Sequence, residues 1–165
     1  AMMDLGATVC LPNGAPKCDI CPARTMCEAY KNGLTEILPV RAKKKARRVE
    51  ERTVLLLFQN GRVALKKRPD TGLLAGLWEY PSIPESLDEA GAALAIAQLG
   101  LAAGQLTPAG GAKHIFTHIE WDMKGYSAEV TGEGPGLFWA DAAAFDALAL
   151  PTAFKKYTAL VRARL

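Results

Sequence analysis

All four cysteines of the chain lie between positions 10 and 27, as Cys-x7-Cys-x2-Cys-x5-Cys, and none occurs elsewhere in its 165 residues. Thiolates are soft ligands that hold zinc or iron–sulfur clusters, so the crowding of Cys10, Cys18, Cys21 and Cys27 points to metal. Structural zinc usually takes two tight cysteine pairs, and only Cys18 and Cys21 form such a pair here. The wider gaps suit a bulkier object whose corners face different directions, which favours an iron–sulfur cubane over zinc. Two disulfides are a third alternative. The chain shows no signal-peptide pattern, and thiols gathered in one place suit a reducing cytosol. The expected location is therefore cytoplasmic.

Half of the residues are hydrophobic and 22% are charged. That composition and length allow one compact domain plus a small appendage. No apolar run approaches the about 18 residues that a membrane span requires, so no membrane partner is expected. The net charge of +3 is unevenly spread: residues 1–52 carry 10 basic and 6 acidic side chains, and residues 53–165 carry 10 and 11. Lys17, Arg24 and Lys31 flank the cysteines, and Arg41, Lys43, Lys44, Lys45, Arg47 and Arg48 fill six of eight positions. Such residues are of the type that meets DNA phosphates. The alternatives are that they balance a cluster's negative charge, or that the run is a solvated, self-repelling linker.

In chain order, Met2 to Val9 reads as the end of an apolar helix without a start signal, as if an upstream portion preceded it. Residues 1–33 form a small cysteine-rich helical and loop segment, with a short helix after Cys27 closed by Gly33. Residues 34–51 form a basic linker. A second domain is expected over 52–165. Thr53 to Phe58 is a buried strand, Gln59-Asn60-Gly61-Arg62 a hairpin turn, and Val63 to Arg68 the returning strand. After a loop and a short strand over Leu77 to Pro81, a helix is expected from Pro84-Glu85-Ser86 to Leu99. Its apolar face would be Leu87, Ala90, Leu94 and Ala97. Leu106 to Val130 reads as two strands, with Ile115, Ile119, Trp121 and Met123 sharing one parity. Leu137 to Trp139 is a strand, and Asp141 caps a short helix. Pro151 opens the last helix, with Phe154, Tyr157, Val161 and Leu165 inward. The order of elements predicts a mixed-sheet α/β sandwich.

The residues around the cysteines, Pro16-Lys-Cys-Asp-Ile-Cys-Pro22 with Cys10 before and Cys27 after, resemble the cluster loop of adenine DNA glycosylases, the MutY family. Here the first gap is one residue longer than is usual in that family. The resemblance implies a 4Fe-4S cluster on Cys10, Cys18, Cys21 and Cys27; zinc, or no metal if the cluster is lost, are the alternatives. It also implies a base-excision-repair enzyme that removes adenine mispaired with 8-oxoguanine in double-stranded DNA.

Two further motifs extend the resemblance. Arg68 to Pro81 is similar to the entry to a Nudix fold, whose hydrolases carry metal-binding glutamates on the next helix. Ala93-Leu-Ala-Ile-Ala-Gln-Leu-Gly100 has no carboxylate where those glutamates would fall, and magnesium usually needs one or two of them. A Nudix-like fold without pyrophosphohydrolase activity is expected. Lys113-His114-Ile-Phe116-Thr117-His118 holds both histidines of the chain. Read alone, these are polar residues on a half-buried strand. The MutY family carries a Phe-Ser-His loop at this point, and Phe116, Thr117 and His118 match it, with His114 as support. The resemblance thus implies that this loop reads 8-oxoguanine, with Phe116 wedged or stacked at the unpaired base. The family's helix-hairpin-helix catalytic domain and its acid residues would lie upstream, so no catalytic residue is placed in this chain, which is expected to be inactive alone. A working Nudix hydrolase and a zinc-bearing nucleic-acid adaptor are the alternatives.

Overall fold

The computed structural model describes residues 2–40 and 46–165. The chain divides into two compact units, Ala1–Ala46 and Arg47–Leu165. The first contains helix α1 (Met2–Thr8), two 3-10 turns (Cys18–Ile20 and Arg24–Met26) and the single-turn helix α2 (Glu28–Lys31). Helix α1 buries none of its side chains. The loop after it is tied back by the Lys17 N–H, which donates to the Val9 carbonyl at 2.9 Å. Gly33 ends α2 in the left-handed region at φ 66°, a conformation that costs glycine least.

The second unit is built on two long strands, β1 (Arg48–Gln59) and β7 (Ile119–Gly132). They run parallel in continuous register from Arg48 opposite Ile119 to Phe58 opposite Glu129. Asn60 and Gly61, both at positive φ, form the tight turn into β2 (Arg62–Lys67), as an Asn-Gly pair between apolar strands predicts. Strands β3 (Trp78–Glu79) and β8 (Phe138–Ala140) pair with β2, and β4 (Ser82–Ile83) pairs with β1. Strands β5 (Leu101–Ala103) and β6 (Thr107–Ile115) pair antiparallel with β7. The result is a mixed sheet of eight strands.

Side chains alternate across a strand, so β1 feeds two cores. Val54, Leu56 and Phe58 pack with Trp121, Met123, Phe145, Phe154, Tyr157 and Val161 on one face. Leu55 and Leu57 pack with Ala92, Ala95, Ile96, Tyr126 and Val130 on the other. The first face is covered by helices α4 (Ala142–Ala147) and α5 (Lys155–Arg162), and the second by α3 (Glu89–Gln98). This is the α/β sandwich that the element order predicts.

Three expectations are corrected. First, β1 starts at Arg48, inside the stretch read as linker, because residues 48–53 continue the parallel ladder with β7. Second, α3 starts at Glu89, where the Asp88 carboxylate accepts from the Gly91 N–H at 2.8 Å. Residues 85–87 are held as a loop by buried Thr53, whose hydroxyl donates to the Glu85 carbonyl and accepts from the Leu87 N–H. The buried face of α3 is Ala92, Ala95 and Ile96, whereas Leu94 is 67% exposed. A helix apolar all round gives no periodicity from which to choose a face. Third, Ile115 lies opposite Glu120 and is 56% exposed. The three-residue turn between β6 and β7 resets the alternation, so His114 shares a face with Trp121 instead.

Helix α5 is fixed by a close approach. The buried Tyr157 hydroxyl donates to the Gly110 carbonyl at 3.1 Å, and a Cβ on Gly125 would lie 2.4 Å from the Tyr157 ring. Gly125→Ala should therefore destabilise the domain by about 1–3 kcal/mol. Urea unfolding of the two proteins, compared at equal m-value, checks this.

Candidate lesion-recognition and cluster sites

The four cysteines are free thiols delivered by three local structures. Cys10 lies two residues past the end of α1, Cys18 opens the first 3-10 turn and Cys21 follows it, and Cys27 is the residue before α2. All four line one cavity of about 550 Å³, together with apolar Leu5, Val9, Pro16 and Ala29 and with Lys17 and Arg24. That volume falls inside the roughly 300–1,000 Å³ of small-molecule and cofactor sites. Among the described residues, no three His, Cys, Asp or Glu side chains come close enough together to hold a single metal ion.

Of the basic residues expected at DNA, Lys17 is exposed. Arg24 lies 3.6 Å from Asp19 and stacks over the Tyr30 ring at 4.5 Å. Lys31 pairs with Glu28 at 2.8 Å. Exposed ion pairs of this kind are worth little, so both cations can change partner at low cost. Lys43, Lys44 and Lys45 lie outside the described residues. Arg47 and Arg48 are exposed at the start of the second unit.

In that unit, residues 116–118 form the tip between β6 and β7. The Phe116 N–H donates to the Ile119 carbonyl at 2.8 Å, closing the turn. Thr117 and His118 are exposed, while Phe116 and His114 are half-buried. The Phe116 ring turns inward. It meets Trp121 edge-on with centroids 4.9 Å apart, and His114 at 4.6 Å. Phe116 thus stands in this structure as a support for the tip rather than as a protruding wedge.

Trp121 is 1% exposed, and its ring carries polar neighbours. The Trp121 Nε1–H donates to Glu50 Oε2 at 3.1 Å, and the Arg52 guanidinium lies 4.2 Å above the ring. Burial pushes the Glu50 carboxyl up, but hydrogen bonds from Arg48 and Trp121 outweigh it and hold the group below its ordinary value. Burial also draws the Arg52 guanidinium down. Arg68 forms a largely buried pair with Glu79 and donates from Nε to the Leu73 carbonyl at 2.9 Å. Sequence reading missed the roles of Glu50 and Arg52. No local pattern announces them: apolar Val49 is exposed while charged Glu50 and Arg52 are partly buried, the reverse of an amphipathic alternation.

The carboxylates near α3 are engaged elsewhere. Residues 93–100 supply none, Asp88 caps α3, and Glu79 is engaged by Arg68. Removing one member of a buried pair strands the other charge. Glu79→Ala should lower domain stability by about 2–4 kcal/mol, measured as a fall in unfolding midpoint.

Residues 53–160 match the NUDIX domain family, and the chain belongs to it. The fold is shared with a MutT NUDIX hydrolase from Burkholderia pseudomallei, at 20% identity and a TM-score of 0.53 over 72% of this chain and 99% of that one. Within the family, the chain matches adenine DNA glycosylases. It is 30% identical to that of Mus musculus over 94% of its own length, and spans 41% of that relative. The C-terminal domain of mouse MUTYH, solved in complex with human PCNA, is 27% identical with a TM-score of 0.56. That match covers 70% of this chain and 91% of that one.

Proposed function

We propose that this chain is the part of an adenine DNA glycosylase that recognises 8-oxoguanine opposite the adenine to be removed. The observation that carries the reading is the exposed Thr117–His118 tip, set on a buried aromatic base beside Arg47 and Arg48, in a chain similar to such glycosylases along 94% of its length. Unmodified guanine offers only acceptors at N7 and O6. Oxidation puts a hydrogen on N7 and an oxygen on C8. The Thr117 hydroxyl can accept from N7–H. The Phe116 N–H is already spent on Ile119, so the donor to O8 comes from the Thr117 or His118 backbone. Arg47, Arg48 and the exposed His118 are suited to phosphate, which positions the protein without reading sequence.

The glycosidic chemistry belongs to residues outside this chain, in the helix-hairpin-helix catalytic part of the same protein. The Nudix hydrolase reading has no support from the adenine glycosylase relatives or from the carboxylate-free helix α3.

The first unit is suited to a 4Fe-4S cluster held by Cys10, Cys18, Cys21 and Cys27. A cubane takes each thiolate on a different iron, so its ligands stand further apart than those of one zinc ion, and an apolar cavity lined by four thiols fits that arrangement. When bound, the cluster supplies a covalent cross-link between α1, the loop and α2. The chain's own contribution is to hold Lys17 and Arg24 around it, where they oppose its negative charge and can face a phosphate. Iron and sulfide analysis with absorbance near about 400 nm tests this; zinc alone would replace the cluster reading.

A hydroxyl also donates, so Thr117 discriminates modestly. Thr117→Val should lower the preference for 8-oxoguanine over guanine by about 1–2 kcal/mol, a factor of about 5–30. Competition between duplexes that differ only in that base measures it, and an unchanged preference removes the assignment.

A further inference from the structure

We infer that Glu50 is a positioning residue that sets the Thr117–His118 tip through two separate arms. This rests on the reading of that tip as the lesion contact, but its structural half stands without it. One arm is made of side chains. Glu50 Oε2 accepts from Trp121 Nε1–H at 3.1 Å, and the Trp121 ring supports Phe116 at 4.9 Å, which is in turn flanked by His114. The other arm runs through the backbone. Glu50 Oε1 accepts from the Arg48 guanidinium, and the Arg48 N–H donates to the His118 carbonyl at 3.2 Å. Both arms end on the same three residues, one at Phe116 and one at His118.

The geometry follows from register. Glu50 stands opposite Trp121 in the parallel ladder, and Arg48 stands opposite Ile119, the residue after the tip. A carboxylate at position 50 can therefore reach an indole N–H across the ladder and a guanidinium two residues back along its own strand. Hydrogen bonds to charged groups are stronger than neutral ones, and among the described residues only Glu50 contributes to both arms; the Trp121 arm is the stronger, because the Arg48 side chain is 72% exposed and exposed ion pairs are worth little. It touches no base, so its effect on recognition is exerted through Trp121 and Arg48. The Arg48 guanidinium is the exposed cation at the first position of this ladder, beside the tip, so Glu50 biases where that charge is presented to a phosphate.

The test uses three variants of the full chain. Glu50→Ala removes both arms. In Glu50→Gln the carboxamide oxygen still accepts from the Trp121 N–H. Thr117→Val changes the contact while leaving the support. Hydrogen exchange in the absence of DNA reports the support directly, with the Phe116 and Arg48 amides as probes and the Leu55 amide, bonded to the Pro81 carbonyl at 2.9 Å, as the control. Glu50→Ala should speed exchange about tenfold at Phe116 and by a smaller factor at Arg48, with Leu55 unchanged, and Glu50→Gln should recover most of the Phe116 effect. Selectivity for 8-oxoguanine over guanine should fall about fivefold in Glu50→Ala and be largely kept in Glu50→Gln. Unchanged exchange in Glu50→Ala, or equal acceleration at Leu55, overturns the inference. Normal selectivity in Glu50→Ala beside reduced selectivity in Thr117→Val overturns it while the lesion reading survives. Normal selectivity in Thr117→Val with local acceleration in Glu50→Ala removes the lesion reading and leaves the positioning role.

Discussion

The parallel pairing of β1 with β7 is the contact on which the rest of this domain depends. It joins residues some 70 positions apart in sequence, such as Glu50 and Trp121, and both of its strands supply inward side chains to both cores. A parallel pair needs a long crossover connection, and here β2, β4, α3 and β6 fill it. Its N-terminal end delivers the tip between β6 and β7 beside the first residues of β1. The same ladder therefore carries the stability of the domain and the placement of its exposed loop.

Parts of this were legible in the residues alone. The turn at Asn60-Gly61 follows from an Asn-Gly pair between apolar runs. The inward stripe of Phe154, Tyr157 and Val161 follows from helical spacing, and all three are fully buried. Helix α3 was legible as a helix but not as a face, since alanine and leucine surround it and the pattern has no polar side. The start of β1 was hidden for the opposite reason. Arg47 to Arg52 is rich in charge and reads as a connector, yet Glu50 and Arg52 turn toward Trp121. The tip at Phe116 to His118 was found by likeness to a family motif. What holds it was not, because a carboxylate that accepts from a tryptophan across a ladder leaves no local pattern.

The Nudix fold illustrates how a scaffold can be kept while its chemistry changes. The strands, the loop after Arg68 and the helix α3 remain, but residues 93–100 are without acids and Glu79 is turned to a structural pair with Arg68. In the cysteine unit the cavity walls are mostly apolar and four free thiols line them.

The central claim is that the Thr117–His118 tip, with Arg47 and Arg48 beside it, is where this chain meets the oxidised base. Amide chemical shifts of the isotopically labelled chain, titrated with duplexes carrying 8-oxoguanine or guanine opposite adenine, test it most directly. The account predicts that shifts at 116–119 are larger with 8-oxoguanine, while those at 47 and 48 are similar for both duplexes. Equal responses at 116–119 for the two bases, or a response centred elsewhere on the domain, would contradict it.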